Sequence, residues 1–289
     1  MKISSGTLTL PAGSRAAGDK LFYQSWMPEA PRAAILLAHG YAEHLGRYEH
    51  VAERFGRDQL AVFAIDHWGH GRSDGIRGFV PNFSVFLDGM AALLAFVQDA
   101  LPGLPRILIG HSMGGLIATA HLLNHQQEYD GAILSGPAVK PATPPSTATQ
   151  IVGRLLSRFA PQAGILQLDS NAVSRDPAVV AAYLADPLVH SGKMSARLAS
   201  EMLDTMARVQ DNAHRITLPL LIVHGSEDSL ASPAGARELF GKLTSTDKQF
   251  KEFPGLYHEV FNEPERNDVL DLVSGWITQH LDQETDGSI

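Results

Sequence analysis

The sequence has 289 residues, of which 44% are hydrophobic, and this is enough apolar material to fill a sizeable core. A formal net charge of −8, with no run of Lys or Arg, argues against nucleic acid as a partner. Because the chain has no cysteine, it has no disulfide framework, no thiolate nucleophile and no cysteine-based zinc site. Covalent catalysis would therefore need another side chain.

The N-terminal region has one early lysine but lacks the apolar block of a signal peptide. No stretch is apolar for the roughly 18 residues that a membrane-spanning helix requires. We therefore expect a soluble, cytoplasmic protein whose partner is a small molecule.

Short apolar runs bounded by Gly and Pro predict buried strands. In chain order these runs are residues 21–27, 33–38, 60–65, 106–109, 131–135, 218–223 and 248–253. Helical patterns alternate with them at residues 47–57, 85–100, 116–125, 233–243 and 265–281. Alternation of helices with near-continuous apolar strands is typical of a mostly parallel sheet with helices on both faces, the doubly wound α/β architecture.

The alternation stops after Gly136 and resumes after His214. Between them the pattern is helical, without a convincing strand, and the segment is too long to be an ordinary loop. We therefore predict a helical cap, or lid, at residues 137–214, inserted into an α/β core formed by residues 1–136 and 215–289.

One helix of this cap has an apolar stripe flanked by Arg154 and Arg158. The stripe consists of Ile151, Val152, Leu155, Leu156 and Phe159. Two interpretations stay open: packing onto the core, or a surface that borders an acyl chain or contacts a membrane.

Two Gly-x-Ser-x-Gly pentapeptides occur, around Ser73 and Ser112. A nucleophile elbow requires a strand directly before the serine and a helix directly after it. Ser112 has this context, between RILI and LIATAHLL, whereas Ser73 has neither neighbour. We therefore predict Ser112 as a nucleophile and place Ser73 in a surface loop.

A serine hydroxyl needs a base to remove its proton, and the base needs an acid that orients it. In this architecture the three residues follow one another along the chain in the order Ser, then Asp or Glu, then His. Glu227 and Asp228 follow a predicted strand, and Asp228 is the better candidate acid. His258 precedes the last predicted helix and is the candidate base, whereas His224 precedes the acid.

The oxyanion of acyl transfer needs backbone N–H donors. One is expected at Met113, at the start of the helix after the nucleophile. The second is expected at Tyr41, in the HGYAEH loop after residues 33–38.

Several acidic and histidine side chains near predicted strand ends raise the question of a metal site. They are His39, Glu43, His44, Asp66, His67 and His70. No helical pair of histidines among them has the usual zinc spacing, so hydrogen bonding within loops is the simpler explanation. We expect neither a metal nor a cofactor.

Several motifs along nearly the whole chain resemble those of monoacylglycerol lipases of the α/β-hydrolase superfamily. They are HGYAEHLGRYEHVA, DHWGHGRSDG, GHSMGG, HGSEDSLASP and LYHEVFNEP. The resemblance implies an α/β-hydrolase fold, Ser112, Asp228 and His258 as a triad, and the N–H groups of Tyr41 and Met113 as an oxyanion hole. It also implies that Glu43 and Arg47 are structural partners of the loop. Tyr41 departs from the small residue that such sequences often carry.

The expected activity is cofactor-independent hydrolysis of monoacylglycerols and related acyl esters through an acyl-enzyme. Lysophospholipase, short-chain carboxylesterase and aminopeptidase activities use the same machinery and stay open. An aminopeptidase would need carboxylates for the substrate's amino group. Acidic residues of the cap are Asp169, Asp176, Asp186, Glu201 and Asp204, whose spacing is more typical of solvated helix faces. A ligand-binding relative without catalysis is the alternative from another class.

Overall fold

The computed structural model of the protein describes the backbone of residues 1–286 and the side chains of residues 1–282. Within these residues the strands are β1 (Lys2–Thr9), β2 (Lys20–Met27), β3 (Ala33–Ala38), β4 (Leu60–Ile65), β5 (Arg106–His111), β6 (Gly131–Ser135), β7 (Gly164–Leu166), β8 (Met194–Ser195), β9 (Leu220–Gly225) and β10 (Lys248–Phe253). The α-helices are α1 (Glu49–Arg57), α2 (Ser84–Ala100), α3 (Met113–His125), α4 (Thr147–Phe159), α5 (Pro177–Ala185), α6 (Ala196–Asn212), α7 (Pro233–Lys242) and α8 (Arg266–Asp286).

Eight of these strands form the main sheet, in the order β1-β2-β4-β3-β5-β6-β9-β10. From β4 to β10 all neighbours are parallel, and β2 is antiparallel to both β1 and β4. The carboxyl ends of β3, β5, β9 and β10 therefore lie at one edge of the sheet, where ligand sites of open α/β sheets form.

Both faces of the sheet are buried. In β3, Ala34, Leu36 and Ala38 belong to one apolar cluster, whereas Ala33, Ile35 and Leu37 belong to the cluster on the opposite face. This alternation follows from the two-residue period of a strand. It explains why the central strands have continuous apolar sequences, and the predicted mostly parallel architecture is confirmed.

Strand β1 was not predicted from the sequence. It pairs with β2 at the edge of the sheet, and its side chains are largely exposed, including Ile3. A polar edge strand of Ser, Gly and Thr lacks the apolar run by which the buried strands are recognised.

The segment between β6 and β9 contains α4, α5 and α6, as the helical pattern predicts. The expectation that it lacks strands is wrong, because β7 and β8 form a small antiparallel sheet. Strand β7 has three residues and β8 has two, which is too short for a periodic sequence signal. Helix α6 joins this segment to the core, since Leu198 and Met202 belong to the same apolar cluster as residues of α3.

No helix in the described part of the chain is both long enough and apolar enough to cross a membrane.

Candidate active site

Ser112 lies at the sharp turn between β5 and α3. Its φ of 53° is in the left-handed region, which non-glycine residues rarely adopt. A Cβ atom at Gly114 would lie 2.0 Å from the carbonyl oxygen of Ala38, and one at Gly110 would lie 2.4 Å from that of Gly114. The two glycines of the pentapeptide are therefore required by close backbone approach at this turn.

The three predicted side chains lie together at the carboxyl edge of the sheet. The Nε2 atom of His258 is 2.8 Å from Ser112 Oγ, and its Nδ1 atom is 2.7 Å from Asp228 Oδ2. The Nδ1–H group donates to the carboxylate, which leaves the Nε2 lone pair free to accept the serine proton. Asp228 Oδ1 accepts from the backbone N–H groups of Leu230 and Ala231, both at 2.9 Å.

The electrostatics of the buried Asp228–His258 pair favour a charged acid and a basic imidazole. Burial alone would raise the pKa of Asp228, but the adjacent imidazoles of His258 and His224 hold that pKa well below its usual range. Burial alone would lower the pKa of His258, but the Asp228 carboxylate raises it above the usual value. His258 is therefore a stronger base than a free imidazole.

The two predicted oxyanion donors are the N–H groups of Met113, which follows Ser112 in the chain, and of Tyr41, which follows Gly40. Gly40 lies against the serine, since a Cβ atom added to Gly40 would be 3.2 Å from Ser112 Cβ. Within residues 1–286, neither N–H group has a hydrogen-bond acceptor. Two unpartnered donors beside a nucleophile are the arrangement that binds an oxyanion.

A buried ionic network supports the loop that carries Tyr41. Glu43 accepts hydrogen bonds from the Gly40 N–H, the Tyr48 hydroxyl and the Arg47 guanidinium, each at 2.6 Å. Arg47 also donates two hydrogen bonds of 2.6 Å to Glu259, next to His258. The network thereby ties the oxyanion loop to the loop of the base. The motif indicates the contact of Glu43 with Arg47, but Glu259 is 212 residues from Arg47 and no local pattern predicts that pairing.

The rings of His39 and His67 are buried against each other, with centroids 4.4 Å apart. His39 Nδ1 donates to the Gly40 carbonyl, and Nε2 accepts from the His67 backbone N–H. For the His67 ring the expectation of satisfied loop hydrogen bonds is wrong, because neither ring nitrogen has a partner among the described residues. No group of three or more His, Asp or Glu residues in the described part of the chain could hold a metal ion.

Ser73 is buried, which corrects its predicted place in a surface loop. Its hydroxyl donates to the Asp66 carbonyl at 2.5 Å and accepts from the Phe22 N–H at 2.8 Å. The hydroxyl fixes the loop after β4 to strand β2, so the second pentapeptide has a structural explanation.

Two cavities of different character meet at Ser112. The larger, of about 320 Å³, lies between the sheet edge and the inserted segment. Its lining is mainly apolar and includes Leu168, Met194, Ala199, Met202, Met206 and Leu230. The smaller, of about 30 Å³, has a mixed lining: Leu168, Val173 and Leu230 lie beside polar side chains that include Glu43, His111, Asp169, Ser170, Tyr183 and Glu259. The site can therefore hold an apolar group on one side of Ser112 and a small polar group on the other.

Four of the five residues of the apolar stripe of α4 are exposed and Leu156 is half-buried, so the stripe does not pack onto the core. The exposed fractions are 56% for Ile151, 54% for Val152, 53% for Leu155 and 76% for Phe159. Ile165 and Leu166 of β7, which line the larger cavity, are also exposed. We call these six residues the apolar rim.

A strand–serine–helix elbow, an aligned Ser–His–Asp arrangement and two free N–H donors define a serine hydrolase with the α/β-hydrolase fold. The model of the family described as serine aminopeptidase, S33, matches residues 29–265, and the chain belongs to this family. The protein is a carboxylic ester hydrolase. The resemblance to monoacylglycerol lipases is confirmed by relatives along nearly the whole chain.

Two of these relatives show the extent of the similarity. The chain is 46% identical over 265 residues to a monoacylglycerol lipase of Mycolicibacterium smegmatis, covering 91% of this chain and 95% of the relative. It is 35% identical over 275 residues to the monoglyceride lipase of Homo sapiens, covering 93% and 90%.

Solved structures give the same result for the fold. The monoacylglycerol lipase of Paleococcus ferrophilus superposes with a TM-score of 0.82 at 30% identity, covering 90% of this chain and 99% of that one. A soluble variant of the Saccharomyces cerevisiae monoglyceride lipase, solved with a substrate analogue, has a TM-score of 0.80 at 25% identity, covering 97% and 98%. The predicted α/β-hydrolase fold is confirmed.

Proposed function

We propose that the protein hydrolyses monoacylglycerols to a fatty acid and glycerol, with Ser112 as the nucleophile. The observation that carries this proposal is the position of Ser112 between a mainly apolar cavity of about 320 Å³ and a smaller, more polar one of about 30 Å³. A monoacylglycerol has one acyl chain for the first cavity and one small polyol for the second. A di- or triacylglycerol would have to place a second chain on the side of the smaller cavity, whose volume of about 30 Å³ among the described residues is too small for an acyl chain.

The proposed reaction follows from the geometry. His258 Nε2 accepts the Ser112 proton over 2.8 Å as Oγ attacks the ester carbonyl. The Tyr41 and Met113 N–H groups bind the oxyanion, and Asp228 holds the tautomer and stabilises the imidazolium. His258 then protonates the departing glycerol oxygen. Water activated by the same imidazole hydrolyses the acyl-enzyme and releases the fatty acid.

The test is a hydrolysis panel with the parent and a Ser112→Ala variant. We expect the parent to cleave monoacylglycerols faster than di- and triacylglycerols, and the variant to lose roughly 10⁶-fold in kcat. Ser73→Ala is the matched control, since that serine has the same flanking glycines but lies away from both cavities. Comparable turnover by Ser112→Ala would overturn the assignment of the nucleophile.

The same panel separates the alternatives. Preference for lysophospholipids or for short esters would replace the monoacylglycerol assignment. Of the carboxylates that line the smaller cavity, Glu43 and Glu259 are paired with Arg47, whereas Asp169 has no ion pair among the described residues. Cleavage of an aminoacyl arylamide in preference to esters would therefore replace the ester assignment with an aminopeptidase. A ligand-binding protein without catalysis would leave Ser112 unlabelled by a fluorophosphonate, whereas we expect stoichiometric labelling.

Residues 137–214 are proposed to act as a cap that contacts lipid surfaces through the apolar rim. Burial of exposed apolar side chains in a lipid interface is favourable by about 25 cal/mol per Å². The rim includes two residues of the larger cavity, Ile165 and Leu166. Docking the rim on a membrane would therefore place the mouth of that cavity at the lipid.

Vesicle binding tests this contact. We expect Leu155→Ser combined with Phe159→Ser to weaken sedimentation with phosphatidylcholine–phosphatidylglycerol vesicles and to leave turnover of a water-soluble ester unchanged. Leu184→Ser is the control, because Leu184 on α5 is 61% exposed but lies outside the rim. Equal binding by all three proteins would contradict the lipid contact.

A further inference from the structure

The catalytic acid has a second imidazole beside it. His224, at the end of β9, has its Nε2 atom 3.0 Å from Asp228 Oδ2, the oxygen that His258 Nδ1 approaches to 2.7 Å. The His224 side chain is fully buried and lines neither cavity. His224 can therefore affect the reaction only through its contact with Asp228.

The chemistry of the contact defines the tautomer of His224. An unprotonated Nε2 would direct a lone pair at a carboxylate oxygen 3.0 Å away, which is repulsive, whereas an Nε2–H group is attracted. The approach is oblique, since neither ring nitrogen of His224 makes a well-directed hydrogen bond within the described residues. The interaction is thus a charge–dipole contact with Asp228 Oδ2, the same oxygen that accepts the hydrogen bond from His258.

We propose that His224 is a positioning residue: its Nε2–H group holds Asp228 Oδ2 in line with His258 and limits how strongly the carboxylate acts on the base. The proposal rests on the catalytic roles of Asp228 and His258 proposed above. Asp228 Oδ1 is fixed by two backbone N–H groups, so His224 supplies the restraint on the other oxygen.

The effect on the base has a definite sign. Without His224, Asp228 loses one of its two imidazole partners, and its negative charge acts more strongly on His258. The acid limb of kcat/KM, which reports protonation of the base, should then move to higher pH. The other titratable groups that act on His258 are Glu259, Glu43 and the adjacent His111, and Arg47 is paired with both glutamates. A substitution at position 224 leaves all four residues unchanged.

The experiment compares His224→Phe with His224→Gln. Phenylalanine keeps a buried ring without the donor, whereas the Gln side-chain amide can place an N–H near the position of Nε2. We expect His224→Phe to lower kcat about tenfold, to leave KM for a water-soluble ester unchanged and to shift the acid limb upward. His224→Gln should restore most of kcat. His121→Phe, another buried histidine that does not touch Asp228, is the control for loss of a buried imidazole.

Two results would overturn the proposal. One is a parental kcat and pH profile in folded His224→Phe; the other is a loss that Gln does not restore and that parallels a lower melting temperature. If the Phe variant does not fold, the ¹⁵N chemical shifts of His224 in the parent decide the matter, because an Nδ1–H tautomer contradicts the proposal. Failure of the proposed function is distinct, since it would appear as a parent that does not hydrolyse esters.

Discussion

The sheet edge and the inserted segment differ in how closely the surrounding structure constrains them. At the sheet edge, Ser112, Asp228 and His258 are fixed by close backbone approach and by hydrogen bonds of 2.7–2.9 Å. In residues 137–214, α4 buries only Ser157 and exposes four large apolar side chains. In the proposed function, the bond-breaking chemistry lies in the first region and the selection of the acyl group in the second.

If this division is correct, changes at the sheet edge should affect all substrates alike. Asp228→Asn removes the carboxylate that orients the imidazole, and we expect kcat to fall about 10⁴-fold for long and short esters. The residual activity should persist to lower pH than in the parent. In the parent the carboxylate raises the pKa of His258, so the base is protonated already above the usual imidazole pKa; without the carboxylate, burial lowers that pKa.

The pH profile of kcat/KM for both proteins checks this prediction. An acid limb that stays at the same pH in Asp228→Asn would show that Asp228 does not control the base. A loss confined to long-chain esters would contradict the separation of the two regions.

The same substitution should have opposite effects on stability in the two regions. In Gly114→Ala the new Cβ would lie 2.0 Å from the Ala38 carbonyl oxygen, so we expect the free energy of unfolding to fall by about 3 kcal/mol. In Gly153→Ala, on α4, nothing lies within 4 Å of the new Cβ, and the higher helix propensity of Ala should add up to about 1 kcal/mol. Urea unfolding of both variants measures the contrast. Equal effects would show that α4 is as tightly constrained as the elbow.

A change in the cavity wall should alter selectivity and leave the chemistry intact. Ala199 lines the larger cavity, and Ala199→Phe would occupy part of its volume. We expect kcat/KM for a long-chain monoacylglycerol to fall about tenfold and that for an acetate ester to stay unchanged. Ala207→Phe on the exposed side of the same helix is the control. An equal loss for both esters would show that the substitution disturbs the catalytic residues instead.

The sequence predicts best what local pattern decides. The glycines around Ser112, the strand before it and the helix after it are contiguous, so the elbow is visible without a structure. Asp228 and His258 each follow a strand of the parallel sheet, and their order along the chain follows from the fold.

Features that depend on contacts between residues far apart in the chain are not predicted from the sequence. Burial of Ser73 depends on Phe22, 51 residues away, and the Arg47–Glu259 pair joins two loops far apart in the chain. The helical pattern of α4 identifies its apolar stripe, but a pattern alone does not show whether the core or solvent lies opposite.

The structure of a covalent adduct would locate the nucleophile, the oxyanion donors and the acyl chain in one measurement. A phosphonate with a long alkyl chain and a glycerol leaving group reacts as an analogue of a monoacylglycerol. We expect a bond from phosphorus to Ser112 Oγ, the phosphonyl oxygen on the Tyr41 and Met113 N–H groups, and the alkyl chain in the cavity lined by Met202 and Leu230. An adduct on another residue, or an alkyl chain outside that cavity, would contradict this expectation.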